Sequence, residues 1–340
     1  MDEFKSVSTP QEEENNENEE EIVNVEEVSK EITEKLRAGL SKIERVGNKG
    51  DFGYVTLECR EKELTNLYNT LDQFQHIRYL DLSKNLLKDV SGLRALYNIV
   101  ILNISENEIE NACIFEDPNI EFFSLRKLNM SKNKLKSFRS LNTPNITSLN
   151  LNNNEIEYMD VSNITQLEDL ELRGNKLKDI DNIKQLKKVK KIYAAENYFD
   201  DITLFKNLYE LRQLHLRTNF ISSLNTLCED DFENLEYLNL RDNKIANLNE
   251  LKSIVKLKNL KKISFLDNIV CENASNIINS FVETFLTDGN GNRLENIASK
   301  FLVLNKVHLD DNFYLQLKED IHARDETTQQ SKEEEEMQIE

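Results

Sequence analysis

Histidines, cysteines, paired carboxylates and glycine-rich turns are the usual raw material of catalytic and metal centres, and this chain spaces them poorly for that work. The four histidines, His76, His215, His308 and His322, include no pair at metal-ligand spacing, and none is so placed relative to a cysteine. Cys59, Cys113, Cys228 and Cys271 lie far apart and form no C-x-x-C, which predicts reduced thiols in a cytosolic protein. The run Asp288-x-Asn290-x-Asn292 has the alternation that opens a calcium loop. Arg293 stands where the sharp turn needs glycine, however, and Ser299 where a bidentate glutamate should close the shell. Gly289-x-Gly291 runs on to Leu294 rather than a third glycine, so no phosphate-cradling loop is expected. Adjacent acids such as Glu168 and Asp169 suit a solvated face better than an acid–base couple. The expectation is a protein that is not an enzyme and that has no catalytic residues, no metal and no cofactor.

The residue type that does recur at fixed spacing is asparagine. From Leu167 to Ile180 the chain reads L-x-x-L-x-L-x-x-N-x-L-x-x-I, carried by Leu167, Leu170, Leu172, Asn175, Leu177 and Ile180: the signature of a leucine-rich repeat. Leu170 and Leu172 alternate inward on a short strand. Asn175 ends the strand, where its amide can bond backbone groups left unpaired by a turning chain. One such unit cannot bury its own apolar face, so copies must stack on it. They are present: the equivalent asparagines are Asn85, Asn107, Asn133, Asn154, Asn175, Asn197, Asn219, Asn243 and Asn268, at steps of 21 to 26 residues. A degenerate first copy holds Tyr54, Leu57, Cys59 and Leu64, with Lys62 in the asparagine position. The sequence thus predicts an α/β solenoid, a leucine-rich repeat horseshoe of about ten repeats of ~22 residues, with a parallel concave sheet and helical caps at both ends. Repeats this short leave room for only a turn or a 3₁₀ helix behind each strand.

The flanks divide the chain. Residues 1–26 read as a disordered acidic tail. Val28, Ile32, Leu36, Leu40 and Ile43 follow helical spacing, predicting a helix within 27–50 that ends at Gly47-Asn48-Lys49-Gly50 and either caps the array or docks a partner. The repeats occupy 51–270. Residues 271–322 are expected to form a C-terminal cap and helix, and 323–340 an acidic tail. The step from Asn107 to Asn133 carries an insertion at 108–124 with Phe115, Phe122 and Phe123, which either packs on its own repeat or offers a docking site.

Charge follows the same division. Residues 1–30 hold 11 acids against 2 bases and residues 310–340 hold 11 against 3, leaving 38 bases and 40 acids between them. Acidic ends disfavour nucleic acid and anionic membrane surfaces as partners. No run of about 18 apolar residues exists to span a membrane, and the N-terminal residues lack the basic and apolar regions of a secretory signal.

On the predicted concave face, the first half of the array is Asn and Ser, as at Asn103, Ser105, Asn129 and Ser131. The second half gathers Glu171, Arg173, Tyr193, His215, Arg217, Tyr237 and Arg241. Interface energy concentrates in Tyr and Arg, which makes this half the expected partner-binding surface. The other reading is a self-satisfied surface in which Glu171 and Arg173 pair along the strand.

The order of strand motifs ELRGN (171–175), YAAEN (193–197), LHLRTN (214–219) and YLNLRDN (237–243), followed by NLNELKSIVKLKNLKKISFLDN (247–268), resembles the leucine-rich repeat-containing protein 23 family. The entry segment VGNKGDFGYVTLECREKELTNLYNTLDQFQHIRYLDLSKN (46–85) resembles the same family's first repeats. The likeness covers roughly residues 30–270. The chain departs from the family where Asn268 is followed by Ile269 rather than proline, and where residues 271–300 look inserted. The resemblance implies a structural subunit of radial spoke 3 in the ciliary and flagellar axoneme, supporting motility and joined to other spoke proteins. It implies a cytoplasmic, cytoskeletal location in the cilium. The runner-up is a regulatory subunit of protein phosphatase 1, also a stack of such repeats and acting through its concave face. That family's concave face is acidic and aromatic throughout, unlike the Asn/Ser first half here.

Overall fold

The computed structural model describes residues 11–46, 51–139, 141–228, 230–272, 277–287 and 303–337. The chain divides into two units, Met1–Lys134 and Leu135–Glu340. The first contains helix α1 (Gln11–Ala38), strands β1 (Leu40–Val46), β2 (Asp51–Glu58), β3 (Tyr79–Asp81) and β4 (Ile101–Asn103), a short helix α2 (Cys113–Glu116) and β5 (Lys127–Asn129). Its sheet runs β1-β2-β3-β4-β5, with β1 antiparallel to β2 and the rest parallel.

The second unit contributes β7 (Ser148–Asn150), β9 (Asp169–Glu171), β10 (Lys191–Tyr193), β11 (Gln213–His215), β12 (Tyr237–Asn239), β13 (Lys262–Ser264), β14 (Val303–Leu304) and β15 (Val307–His308), in that order in its sheet. These strands are parallel except β15, which turns back on β14. Two short strands, β6 (Ser137–Phe138) and β8 (Tyr158–Met159), pair separately. Among the described residues the unit also holds helices α3 (Lys252–Val255), α4 (Ile269–Glu272), α5 (Ile277–Phe285) and α6 (Asp311–Met337). Behind the strands lie 3₁₀ turns such as Ser91–Ala95 and Ile202–Phe205, as the short repeat requires. Both units have the leucine-rich repeat fold.

Register explains the core. In the first unit Leu57, Leu80, Leu102 and Leu128 stand opposite one another on neighbouring strands. In the second, Leu149, Leu170, Ile192, Leu214, Leu238, Ile263 and Leu304 do the same. All are at most 2 % exposed. With a period of two, the residues on either side of each core leucine must face the other side of the sheet.

The asparagines fix the spacing of the stack. Asn219 donates from Nδ2 to Ala194 O of the preceding repeat (3.0 Å) and to Leu216 O of its own (3.1 Å), and its Oδ1 accepts from the Phe199 N–H (3.0 Å). All nine asparagines are buried. Each accepts from an N–H of the preceding repeat at 3.0–3.1 Å. The residue before each one is left-handed, from Lys84 (φ 58°) to Asp267 (φ 60°), and only Gly174 (φ 70°) is a glycine. Left-handed backbone costs a side chain roughly 1–2 kcal/mol. The buried hydrogen bonds that follow it hold the turn in place.

Some boundaries differ from the sequence expectation. The helix expected within 27–50 stops at Ala38, and Leu40–Val46 forms a strand. Gly39 is the reason. Its carbonyl accepts from the Glu58 N–H at 2.9 Å, and a Cβ there would lie 2.1 Å from Glu58 O, so the chain leaves the helix and pairs with β2. Leu40 and Ile43 continue the helical spacing of Ile32 and Leu36 but belong to a hairpin, opposite Leu57 and Tyr54. At the other end of α1, backbone helix begins at Gln11, inside the stretch 1–26 expected to lack structure. Likewise α6 runs to Met337 through the expected tail 323–340. Glu, Gln and Lys are strong helix formers, so acidic composition alone does not exclude a helix.

The 108–124 insertion packs two of its rings: Phe115 and Phe122 are buried with centroids 5.1 Å apart, while Phe123 is 60 % exposed. In the C-terminal region α5 buries Ile277, Phe281 and Val282, and α6 buries Tyr314 and Leu317. The expected turn at 47–50 and the run 288–292 with Ser299 lie outside the described residues.

Two substitutions test this register. Leu172→Ala opens a cavity in the core and is expected to lose about 2–5 kcal/mol of stability in denaturant unfolding. Asn219→Ala leaves the Phe199 N–H and the Ala194 carbonyl buried without their partner, and should lose about 2–3 kcal/mol. An unchanged unfolding midpoint in either variant would contradict the strand register given above.

Candidate interaction surface on the second unit

The face opposite the core carries three rows of side chains. Strand register aligns Asp169, Lys191, Gln213, Tyr237 and Lys262 in one row and Glu171, Tyr193, His215, Asn239 and Ser264 in the next. Arg173, Ala195, Arg217 and Arg241 follow just beyond the strands. Of the seven residues expected at a binding surface, three come together as an aromatic step. Tyr193 and His215 have ring centroids 4.6 Å apart, and His215 meets Tyr237 edge-on at 4.8 Å. Tyr237 stands in a different row from the other two, so this contact is diagonal across the sheet.

The charged members part company. Glu171 and Arg173 do not pair along the strand: Glu171 accepts from Asn152 Nδ2 at 2.7 Å, and Arg173 binds Glu196 at 2.8 Å. Arg241 is held by Asp267. Arg217 has no carboxylate partner among the described residues.

Sequence reading missed the neighbours that complete this surface. Lys262 occupies the row one residue before the core leucine position, and Lys306 sits in the turn between β14 and β15. With Arg217, Tyr237, Arg241 and Lys261 they line a groove of about 480 Å³ floored by Ser264. Lys262 was legible in principle, since its row is set by the same alternation that places Tyr237. Lys306 was not, because the β14–β15 pair follows Asn268 at an irregular distance.

Burial sets the protonation of the step. It pushes the His215 imidazole below its ordinary 6.5, and it pushes the Tyr237 phenol up against a smaller opposing effect of the Asn239 side chain. Both are therefore neutral near pH 7.

The first unit's polar face is different in kind. Asp81 accepts from Ser83 Oγ (2.6 Å), the Ser83 N–H (2.9 Å) and Asn103 Nδ2 (2.8 Å), and pairs with Arg60. Burial opposes ionisation there, yet these hydrogen bonds and the Arg60 charge together hold the carboxyl below its usual range. Ser105 in turn donates to Asn103 at 2.8 Å, so this face satisfies itself. The β1–β2 hairpin adds an apolar patch that the expected helix concealed. Ile43 and Tyr54 face each other across the pair, and Phe52 stands two residues along, 73 % exposed.

Cys59 is buried, which pushes its thiol pKa up, and all four cysteines are free thiols. Among the described residues no cluster of three His, Cys, Asp or Glu is placed to hold a metal ion, and no helix is long and apolar enough to cross a membrane.

The lowered His215 pKa has a stability consequence. Below pH 6.5 the unfolded chain takes up the imidazole proton before the folded one does, so this stability is present above 6.5 and lost as pH falls through the folded value. His215→Phe keeps a ring between the tyrosines and removes the titration. The melting temperature of that variant should drop less between pH 7.5 and 5.5 than that of the unaltered chain. An equal drop would show that His215 is not buried as described.

No family model matches the chain. It is 31% identical over 245 residues to leucine-rich repeat-containing protein 23 of Bos taurus, covering 71% of this chain and 69% of that protein. Against leucine-rich repeat-containing protein 23 of Homo sapiens it is 30% identical over 236 residues, 68% of this chain and 66% of the relative. The solved functional domain of InlJ from Listeria monocytogenes has a TM-score of 0.56 at 17% identity, covering 78% of this chain and 58% of that one, a likeness of fold alone. Shared sequence over two thirds of the bovine relative, together with the repeat architecture, establishes that the chain belongs to the leucine-rich repeat-containing protein 23 family.

Proposed function

We propose that this chain is a non-catalytic structural subunit of the ciliary axoneme, a radial spoke component that joins spoke proteins and supports motility. Family membership and the repeat fold support a protein-interaction scaffold; the spoke assignment carries over from the family resemblance. The observation that carries the reading is the sheet face of the second unit. Aromatic rings packed in sequence and exposed cations are the residue types in which interface energy concentrates. The first unit's polar face has spent its hydrogen-bonding groups on itself. On this reading the protein is cytoplasmic and cytoskeletal, and its partners are other subunits of a large spoke assembly.

Fractionation of tagged protein from ciliated cells tests this reading. Retention in detergent-extracted axonemes with spoke proteins is the expected result. Recovery in the soluble pool bound to protein phosphatase 1 would contradict it and favour a phosphatase regulatory subunit. Replacing Arg217 and Arg241 together by Glu is expected to weaken capture of spoke proteins several-fold while leaving the fold intact. Unaffected capture would move the docking site off this face.

A further inference from the structure

Resting on the scaffold reading, we infer that the groove between β11 and β15 binds an extended acidic segment of a partner protein, one with a carboxylate at every second residue. Three observations point there. The first is local charge. Five cations line the groove (Arg217, Arg241, Lys261, Lys262 and Lys306) against one carboxylate, Glu236, in a chain whose net charge is -19. Elsewhere on the same face cations are neutralised, as Lys191 is by Asp169 at 3.6 Å and Arg173 by Glu196 at 2.8 Å, and within the groove Arg241 is held by Asp267 and Lys261 by Glu236 at 3.6 Å. Arg217, Lys262 and Lys306 have no such partner among the described residues.

The second observation is spacing. Arg217 follows β11, Lys262 lies on β13, and Lys306 turns from β14 to β15. Neighbouring strands stand about 4.8 Å apart, and Arg217 also lies beyond the Lys262 row along the strands, so the cations spread over roughly 10–15 Å both across the sheet and along it. An extended chain advances about 3.3 Å per residue and shows alternate side chains to one side, so acids at every second position fall about 7 Å apart along this path. The third is the floor. Tyr237 gives apolar contact between the charges, and its neutral phenol keeps a hydroxyl donor for a carboxylate. A nucleic acid is the poorer fit, because the chain's overall charge repels a polyphosphate.

The test is fluorescence anisotropy on the full chain. The probe is a labelled ten-residue peptide with glutamate at alternate positions and valine or tyrosine between; the comparison peptide carries glutamine in place of glutamate. Saturable binding of the glutamate peptide alone is expected. It should weaken at least tenfold in Arg217→Glu/Lys262→Glu and several-fold in the milder Arg217→Gln/Lys262→Gln. The exposed pair Lys178→Glu/Lys184→Glu, of equal charge change, should weaken it less than twofold. Equal loss in that control pair, or no binding at all, overturns the proposal. So does dimerisation without peptide that Arg217→Glu/Lys262→Glu abolishes, since the groove would then hold the acidic end of a second copy. The two readings fail separately. Axonemal retention that survives Arg217→Glu/Lys262→Glu removes the groove and leaves the scaffold. Absence from axonemes with peptide binding intact removes the scaffold assignment and leaves the groove.

Discussion

Everything in these units hangs on one buried amide. Each ladder asparagine uses its carbonyl and its NH₂ to join the backbone of its own repeat to that of the one before, as Asn243 does with Ile221, Leu216 and Leu240 at 2.8–3.0 Å. Leaving such groups unpaired in the core costs on the order of 1–3 kcal/mol each. No other side chain of that size offers both a donor and an acceptor in this geometry. Stacking alone would bury the leucines in more than one register. The asparagine selects the register in which the backbone groups are also satisfied, and it holds the left-handed residue before it in place.

That constraint determines the open face of each sheet. Once the leucine row is fixed, the residues on either side have no choice of direction, and neighbours one repeat apart are brought to a strand's width of each other. Tyr193, His215 and Tyr237 are 22 residues apart in sequence and in contact in space. The same constraint produces opposite outcomes in the two units. Asp81, Ser83, Asn103 and Ser105 are small enough to bond one another and close their surface. Arg217, Lys262 and Lys306 find no carboxylate in reach among the described residues and leave theirs open. What each face offers a partner is a matter of which side chains the repeat presents there.

The repeat grammar was the legible part of the chain, because a period of about 22 residues with one obligatory asparagine is specific to this repeat class. The aromatic step followed from it, although Tyr237 entered by the neighbouring row. What escaped was whatever broke the period. Gly39 reads in sequence as one glycine within a helical pattern, and only its approach to Glu58 shows that the chain must leave the helix there. Ile43 fits both a helical and a strand spacing, and pairing with Tyr54 decides between them. Lys306 lies past the last ladder asparagine, where spacing no longer predicts position. The pairing of Glu171 with Asn152 instead of Arg173 depended on partners a repeat away, which adjacency in sequence does not rank.

If the second unit's sheet face is where this protein meets its partners, a probe placed on that face must reach them. Site-specific photo-crosslinking within cilia provides that probe, with the reactive side chain at Ser264 on the groove floor and, in a second chain, at Asn129 on the self-satisfied face. Protein adducts are expected from position 264 and few or none from position 129. Adducts from 129 with none from 264 would contradict the assignment and place the interface on the face closed by its own hydrogen bonds.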